Sequence, residues 1–217
     1  MKNMIFCLMK PYEYAIRLEH AESPNPILKK TLVLTGISAL LFGISALLGL
    51  KSEILSPAIF DLSNSEYETQ KMLFAIGQIL WGIVITLILL FLPSLFFWTV
   101  TEIEYKKLVH IQFAIVCIIL IEKVLLILLG YLYGLDSNSS PFSLGIIGQY
   151  VTSNEILLKI LSVISIFKLW IIYIQYTVIK VLSDKSATFV LLICLAFNIM
   201  WWIFAAIFKY LDFAKLL

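Results

Sequence analysis

The stretch TLVLTGISALLFGISALLGL, residues 31–50, decides the fold class because it contains twenty consecutive residues without a charge. Lys29 and Lys30 precede it, and Lys51 follows it. A helix rises about 1.5 Å per residue, so roughly twenty apolar residues cross the 30 Å hydrocarbon layer of a bilayer. The stretch therefore predicts a transmembrane helix with lysines at both ends.

The composition of the whole chain is also that of a membrane protein. Of 217 residues, 61% are hydrophobic and 14% are charged, and the mean hydropathy is +1.00. Soluble domains average about 45–50% apolar and about 25% charged residues. The net charge of +2 is dispersed along the chain. We therefore expect neither a soluble enzyme nor a nucleic-acid partner, which would need a clustered basic face.

Four more apolar stretches follow the first. The five predicted spans are residues 31–50, 72–101, 108–135, 156–179 and 187–208. Each should be α-helical, because a helix satisfies its own backbone groups in lipid. Pro93 predicts a tilt or kink late in the second span, and residues 136–155 are predicted to form a loop. The prediction is an all-α integral membrane protein whose transmembrane domain covers residues 31–217.

Residues 1–30 are predicted to form a cytoplasmic segment with a short amphipathic interfacial helix. Pro11 can begin this helix and places Tyr12, Ala15, Ile16 and His20 on one side. The alternative is a solvated tether.

The distribution of basic residues predicts the orientation. With a cytoplasmic N-terminus, the inner segments hold nine Lys and Arg residues and the outer segments hold four. Arg17 is the one arginine among 16 basic residues, a bias typical of AT-rich bacterial genomes. We expect a multi-pass protein of a bacterial cell membrane, with its C-terminus outside.

The sequence predicts no catalytic residue, no cofactor and no metal site. His20 and His110 are the two histidines, and they lack the spacing of a zinc site. No glycine-rich phosphate loop is present. The three cysteines, Cys7, Cys117 and Cys194, lie in or near apolar runs and are predicted to be free thiols.

Charges inside the predicted spans are the candidate functional residues. Glu122 in the third span and Lys168 in the antiparallel fourth span lie at depths that allow them to meet. Lys123 must point to another side than Glu122. A charge at the bilayer centre costs at least about 2.5 kcal/mol on insertion scales, so pairing or water access is expected. The favoured interpretation is a buried ion pair that fixes helix packing, and the alternative is a polar site or proton relay.

Small residues form one face of the first span. Gly36, Ala39, Gly43 and Ala46 share this face, where another helix can approach closely. Internal packing is the favoured interpretation, and contact with a partner is the alternative.

The chain resembles the bacterial branch of the Yip family of five-span membrane proteins. The resemblance rests on Lys10 and Pro11 near the start, on the inner turn Tyr105, Lys106, Lys107 and Leu108, and on residues 164–180. Within the last stretch, Phe167 and Trp170 are similar to the family's signature of a phenylalanine and a tryptophan three residues apart, although plain aromatic packing also explains them. The chain departs from the family where Glu122, Lys123 and Lys168 occur.

The resemblance implies no catalysis. It implies a non-enzymatic accessory subunit that binds another membrane protein, such as an ABC-type export system that protects against antimicrobial peptides. The alternative function is a small transporter or channel with a polar path through Glu122, Lys123 and Lys168.

Overall fold

A computed structural model describes residues 2–21, 26–50, 64–135 and 139–210. The helices within these ranges are α1 (Lys2–Met9), α2 (Pro11–Glu19), α3 (Ile27–Leu47), α4 (Asn64–Thr101), α5 (Tyr105–Tyr133), α6 (Gly145–Val151), α7 (Glu155–Val163), α8 (Ile166–Leu182) and α9 (Ala187–Tyr210). Two of the lysines assigned to outer segments, Lys51 and Lys215, lie outside the described residues. The side chains of Lys159 and Lys209 lie outside the described part as well.

Four helices are long and apolar enough to cross a membrane, namely α3, α4, α5 and α9. They cover the first, second, third and fifth predicted spans. The described part of the chain contains no β-strand. The structure thus confirms an all-α protein of the membrane class. Helix α4 begins eight residues before its predicted span and continues through Pro93 as one helix.

Helices α3 and α4 pack closely because small residues lie at their contact. The Ser38 hydroxyl donates to the Gly82 carbonyl at 2.9 Å. A β-carbon placed on Gly43 would lie 3.0 Å from Ile79, and one on Gly82 would lie 3.0 Å from the Phe42 ring. Part of the small-residue face of the first span is therefore used in internal packing. Gly36 on the same face has open space around it.

Helices α3 and α5 run in the same direction. Near the start of α3, Lys30 Nζ lies 5.5 Å from the centre of the Phe113 ring. Twelve residues later, the ring of Phe42 lies 4.2 Å from Lys123 Nζ. The two helices are therefore parallel, and α4 is antiparallel to both.

The predicted fourth span is divided into two helices. α7 ends at Val163 and α8 begins at Ile166. The backbone at this break pairs with the segment before α6: Leu144 N–H donates to the Ile164 carbonyl at 2.9 Å, and Ile166 N–H donates to the Phe142 carbonyl at 3.0 Å. These bonds provide the partners that a broken helix otherwise lacks in an apolar layer. Residues 136–155 thus contain α6 and a segment that folds back onto the break, in place of a simple loop.

The N-terminal helices are part of the core. α2 packs against α8, and α1 packs against α5. A helix begins at Pro11, as predicted, and the side that it buries in the core is not the side predicted to contact the membrane interface. Tyr14, Ala15 and Leu18 are buried, whereas Tyr12 and Ile16 are exposed. The protein core selects this stripe because α8 lies against it.

The cysteines are free thiols, as predicted. Cys7 and Cys194 are buried, and Cys117 is half-buried. Burial raises the pKa of the Cys7 thiol to about 12. At neutral pH this side chain is therefore uncharged and packs as a small apolar group.

Several turns meet at the end of the molecule that carries α2. Lys107 Nζ donates to the carbonyl of Glu19 at the end of α2, at 2.9 Å. Lys185, in the turn between α8 and α9, contacts Glu102 in the turn between α4 and α5 at 2.7 Å. The Lys185 ammonium lowers the pKa of the exposed Glu102 carboxyl. We call this end, where α2 and both turns lie, the basal end.

Candidate polar site in the membrane

The charged residues Glu122 on α5 and Lys168 on α8 lie together at the break between α7 and α8. Nζ of Lys168 lies 3.4 Å from Oε2 of Glu122. The hydroxyl of Ser165 donates to Oε1 of the same carboxylate at 2.5 Å. The side chains of Glu122 and Lys168 retain 14% and 22% of their accessible surface. We call these three residues the polar site.

The polar site lies near the middle of the apolar layer. Lys30 is the last charged residue before the apolar run of α3, so we take it as the basal edge of the apolar layer; its ammonium lies over Phe113. Glu122 is nine residues farther along α5 than Phe113, which corresponds to about 13 Å. Half of a hydrocarbon core is about 15 Å. With the edge placed at Lys30, Glu122 is expected near the middle of the layer, where an unpaired charge costs most.

Local sequence explains how the site is built. Ser165 has an extended backbone and is the N-cap of α8, where its oxygen accepts from the backbone N–H of Lys168. Serine is a preferred N-cap residue because its side chain satisfies a free N–H of the first turn. The same hydroxyl is then able to donate its own proton to Glu122. Ser165 thus connects the start of α8 to α5.

The electrostatics of the site are asymmetric. Glu122 faces the N-terminal end of α8, where the helix dipole favours a negative charge. It also accepts a hydrogen bond from Ser165 and contacts the Lys168 ammonium. Lys168 lies in the first turn of α8, at the dipole end that disfavours a cation. The charge of Lys168 is therefore stabilised mainly by Glu122. The charge of Glu122 is stabilised by Ser165 and by the α8 dipole as well as by Lys168.

Lys123 does not join the polar site. Its ammonium lies over the Phe42 ring on α3. This arrangement is a cation–π contact, in which the ring face attracts the charge. The structure brings Glu122 and Lys168 together and directs Lys123 to another side of α5, as the helical spacing indicated.

Phe167 and Trp170, the two aromatic residues that carry the family resemblance, pack beside the site. Phe167 is buried and meets Phe142 edge to face, with ring centres 5.6 Å apart. Trp170 is partly buried against the core cluster that contains Phe167. Their contacts are those of aromatic packing, and Phe142 belongs to the segment that closes the helix break.

Two buried glutamines differ in their hydrogen bonding. Gln175 on α8 accepts from the side-chain amide of Asn198 on α9 at 2.6 Å. Gln112 on α5 is 1% exposed, and neither atom of its amide has a hydrogen-bond partner among the described residues. An unpaired buried amide costs about 1–3 kcal/mol, so Gln112 lowers the stability of the fold.

We predict opposite results when methionine replaces these two glutamines. Gln112→Met should raise the free energy of unfolding by about 1 kcal/mol, because it removes an unpaired amide. Gln175→Met should lower it by about 1 kcal/mol, because Asn198 loses an acceptor. Reversible unfolding in mixed detergent measures both values. Equal losses in the two variants would show that Gln112 has a polar partner.

The sequence pattern does not indicate that Ser165 contacts Glu122. It predicts one helix over residues 156–179, in which a serine is an ordinary packed residue. The available signal is only that serine is a preferred N-cap residue, since Lys168 stands where a capping box has Glu or Gln. The pairing of Phe142 and Leu144 with the break has no comparable signal, because it joins distant segments.

Comparison of the chain with family models, with curated proteins and with solved structures finds no match. The fold and the site therefore define the class of this protein. It is an all-α protein of the membrane class in which an ion pair joins α5 and α8. Membership of the Yip family stays a prediction from the resemblance.

Proposed function

We propose that this chain is a non-enzymatic accessory subunit that associates with a transporter, with an ABC-type export system for antimicrobial peptide protection as the first candidate. The observation that carries the proposal is an exposed stripe on α4. The stripe consists of Leu73, Gly77, Leu80, Trp81 and Val84, all exposed. Residues at this spacing share one face of a helix, and this face is opposite to Gly82, which contacts α3.

The position of Trp81 favours a protein partner over lipid. Trp81 retains 47% of its accessible surface. Trp81 is adjacent to Gly82, which lies against Phe42. The Phe42 ring contacts the Lys123 ammonium, so these residues lie at a similar depth. Trp81 is therefore exposed near the middle of the layer, whereas tryptophan prefers the membrane interfaces. Gly77 has open space around it, so a partner helix can approach α4 closely there.

Site-directed photo-crosslinking in native membranes tests this proposal. A photoreactive amino acid replaces Leu80 in the stripe, and Leu169 on α8 or Ile203 on α9 serves as a matched position with similar exposure. We expect an adduct with a transmembrane subunit of an export system from Leu80 alone. Gly77→Leu should weaken this adduct by about tenfold, because it blocks close helix approach.

Three outcomes contradict the accessory-subunit proposal. They are the absence of an adduct from Leu80, the same adduct from all three positions, and an adduct only with a second copy of this chain. Each would show that the α4 stripe faces lipid or the chain itself.

The proposed topology is five crossings with a cytoplasmic N-terminus in a bacterial cell membrane. Together, α7 and α8 contribute the crossing between α5 and α9, and α2 lies at the inner interface. The basal end carries Lys106, Lys107, Lys180 and Lys185, which favours a cytoplasmic position for this end. Topology reporters fused after Glu102 and after Ser139 should give opposite signals.

A small transporter or channel is the second candidate function. The observation that favours it is the helix break at Ser165 near the middle of the layer, since broken helices carry the binding sites of many transporters. Glu122, Lys123 and Lys168 are the candidate path residues. In this case ion or solute flux into liposomes should be lost when Glu122, Lys168 or both are replaced. The accessory-subunit proposal predicts no flux from the purified wild-type chain.

A further inference from the structure

A long groove between α1, α3 and α5 has no role in the proposed function. Its volume is about 890 Å³, which is within the range of about 300–1,000 Å³ for ligand sites. Its walls are apolar, with Met4 and Leu8 from α1, Ile37 and Leu41 from α3, and Val124 from α5 among the lining residues. Glu122, Lys123 and Lys168 are not among them. The groove is thus separate from the polar site.

The charged residues of the groove lie at one end. Lys29 and Lys30, in the first turn of α3, line its basal end, and the described lining residues include no acidic residue. Neither lysine forms an ion pair with an acidic residue among the described parts of the chain. The Lys30 ammonium lies over the Phe113 ring. An anion at this end would therefore meet two cations that no carboxylate of the described lining residues neutralises.

The length of the groove corresponds to one leaflet. From Lys30 to Leu41 the wall formed by α3 extends over eleven residues, or about 16 Å. The hydrocarbon thickness of a single leaflet is about 15 Å. With the lysines at the level of the headgroups, Leu41 would lie near the bilayer centre.

From the apolar walls, the length and the two cations, we infer that the groove binds one acyl chain of an anionic phospholipid whose phosphate contacts Lys29 and Lys30. The apolar walls accept the hydrocarbon chain, and each lysine near the headgroups favours an anionic lipid. A zwitterionic lipid with the same chains gains the apolar contacts but less from the lysines. The lipid belongs to the leaflet at the basal end.

Native mass spectrometry of the purified, delipidated full chain tests the inference. Phosphatidylglycerol and phosphatidylcholine with identical acyl chains are added in separate titrations. We expect the wild type to bind phosphatidylglycerol about tenfold more tightly. Lys29→Gln with Lys30→Gln should remove this preference, whereas Lys71→Gln with Lys106→Gln, which changes the charge equally outside the groove, should retain it.

A groove-filling variant tests the acyl-chain site independently of charge. Ile37→Trp should reduce the binding of both lipids at least tenfold, because the indole fills the groove. Ile44→Trp on the same helix is the control, since Ile44 is similarly exposed but does not line the groove. Equal phosphatidylglycerol binding in the two lysine variants, or unchanged lipid binding in Ile37→Trp, would overturn the inference. A dimer mass that Ile37→Trp abolishes would overturn it as well, because a second copy would then cover the groove.

Discussion

Glu122→Leu is expected to lower the free energy of unfolding by about 3 kcal/mol or more, the usual cost of breaking a buried ion pair. The variant leaves the Lys168 ammonium near the middle of the apolar layer at the dipole end that disfavours it, and it deprives Ser165 of its acceptor. Lys168→Met should cost only about 1–2 kcal/mol, because Glu122 keeps the Ser165 hydroxyl and the N-terminal end of α8.

The double variant separates a structural pair from a functional path. Glu122→Leu with Lys168→Met should be more stable than Glu122→Leu alone, because it leaves no unpaired charge in the layer. Reversible unfolding of all four proteins in mixed detergent gives the coupling energy. If the losses from the two single replacements simply add, the contact between Glu122 and Lys168 contributes nothing to the fold. Loss of flux in all three variants would instead support the transport function.

Gly82→Leu is expected to cost about 2 kcal/mol, at the level of other overpacked contacts. A β-carbon at Gly82 would already lie 3.1 Å from the β-carbon of Phe42, so the added side chain must push α3 away from α4. Displacement of Phe42 also disturbs its contact with the Lys123 ammonium. A lower unfolding midpoint in detergent is the expected measurement.

Gly77→Leu provides the control on the same helix. A β-carbon placed on Gly77 would have no neighbouring atom within 4 Å, and the residue belongs to the exposed α4 stripe. Leucine is also the better helix former, so the stability of the isolated chain should be unchanged or higher. Gly77→Leu should therefore affect the photo-adduct with the partner, whereas Gly82→Leu affects the fold. Equal destabilisation by both variants would show that α4 does not pack as described.

The polar site shows that the relative depth of charged residues on transmembrane helices can be predicted from the helical rise per residue. At about 1.5 Å per residue in antiparallel helices, the spacing alone placed Glu122 and Lys168 at compatible depths. It also directed Lys123 to another side of α5. Depth does not depend on tertiary contacts once the ends of a span are known. The third member, Ser165, could not be predicted in this way because it required knowledge that the helix breaks there.

The sequence by itself determined the class of this protein and four of its long helices. Uninterrupted apolar length is a local property, and in lipid the backbone of such a segment has to form a helix. Residues 31–50 and 187–208 show this, since α3 and α9 cover nearly the same ranges.

Only the tertiary structure decided where the fourth apolar stretch breaks and which face of α2 is buried. The break is stable because Phe142 and Leu144 supply backbone partners from a distant segment. The buried face of α2 is the one that packs against α8, since Tyr14 and Ala15 are buried while Tyr12 is exposed. Both features depend on contacts between segments far apart in the chain, and a local pattern does not encode them.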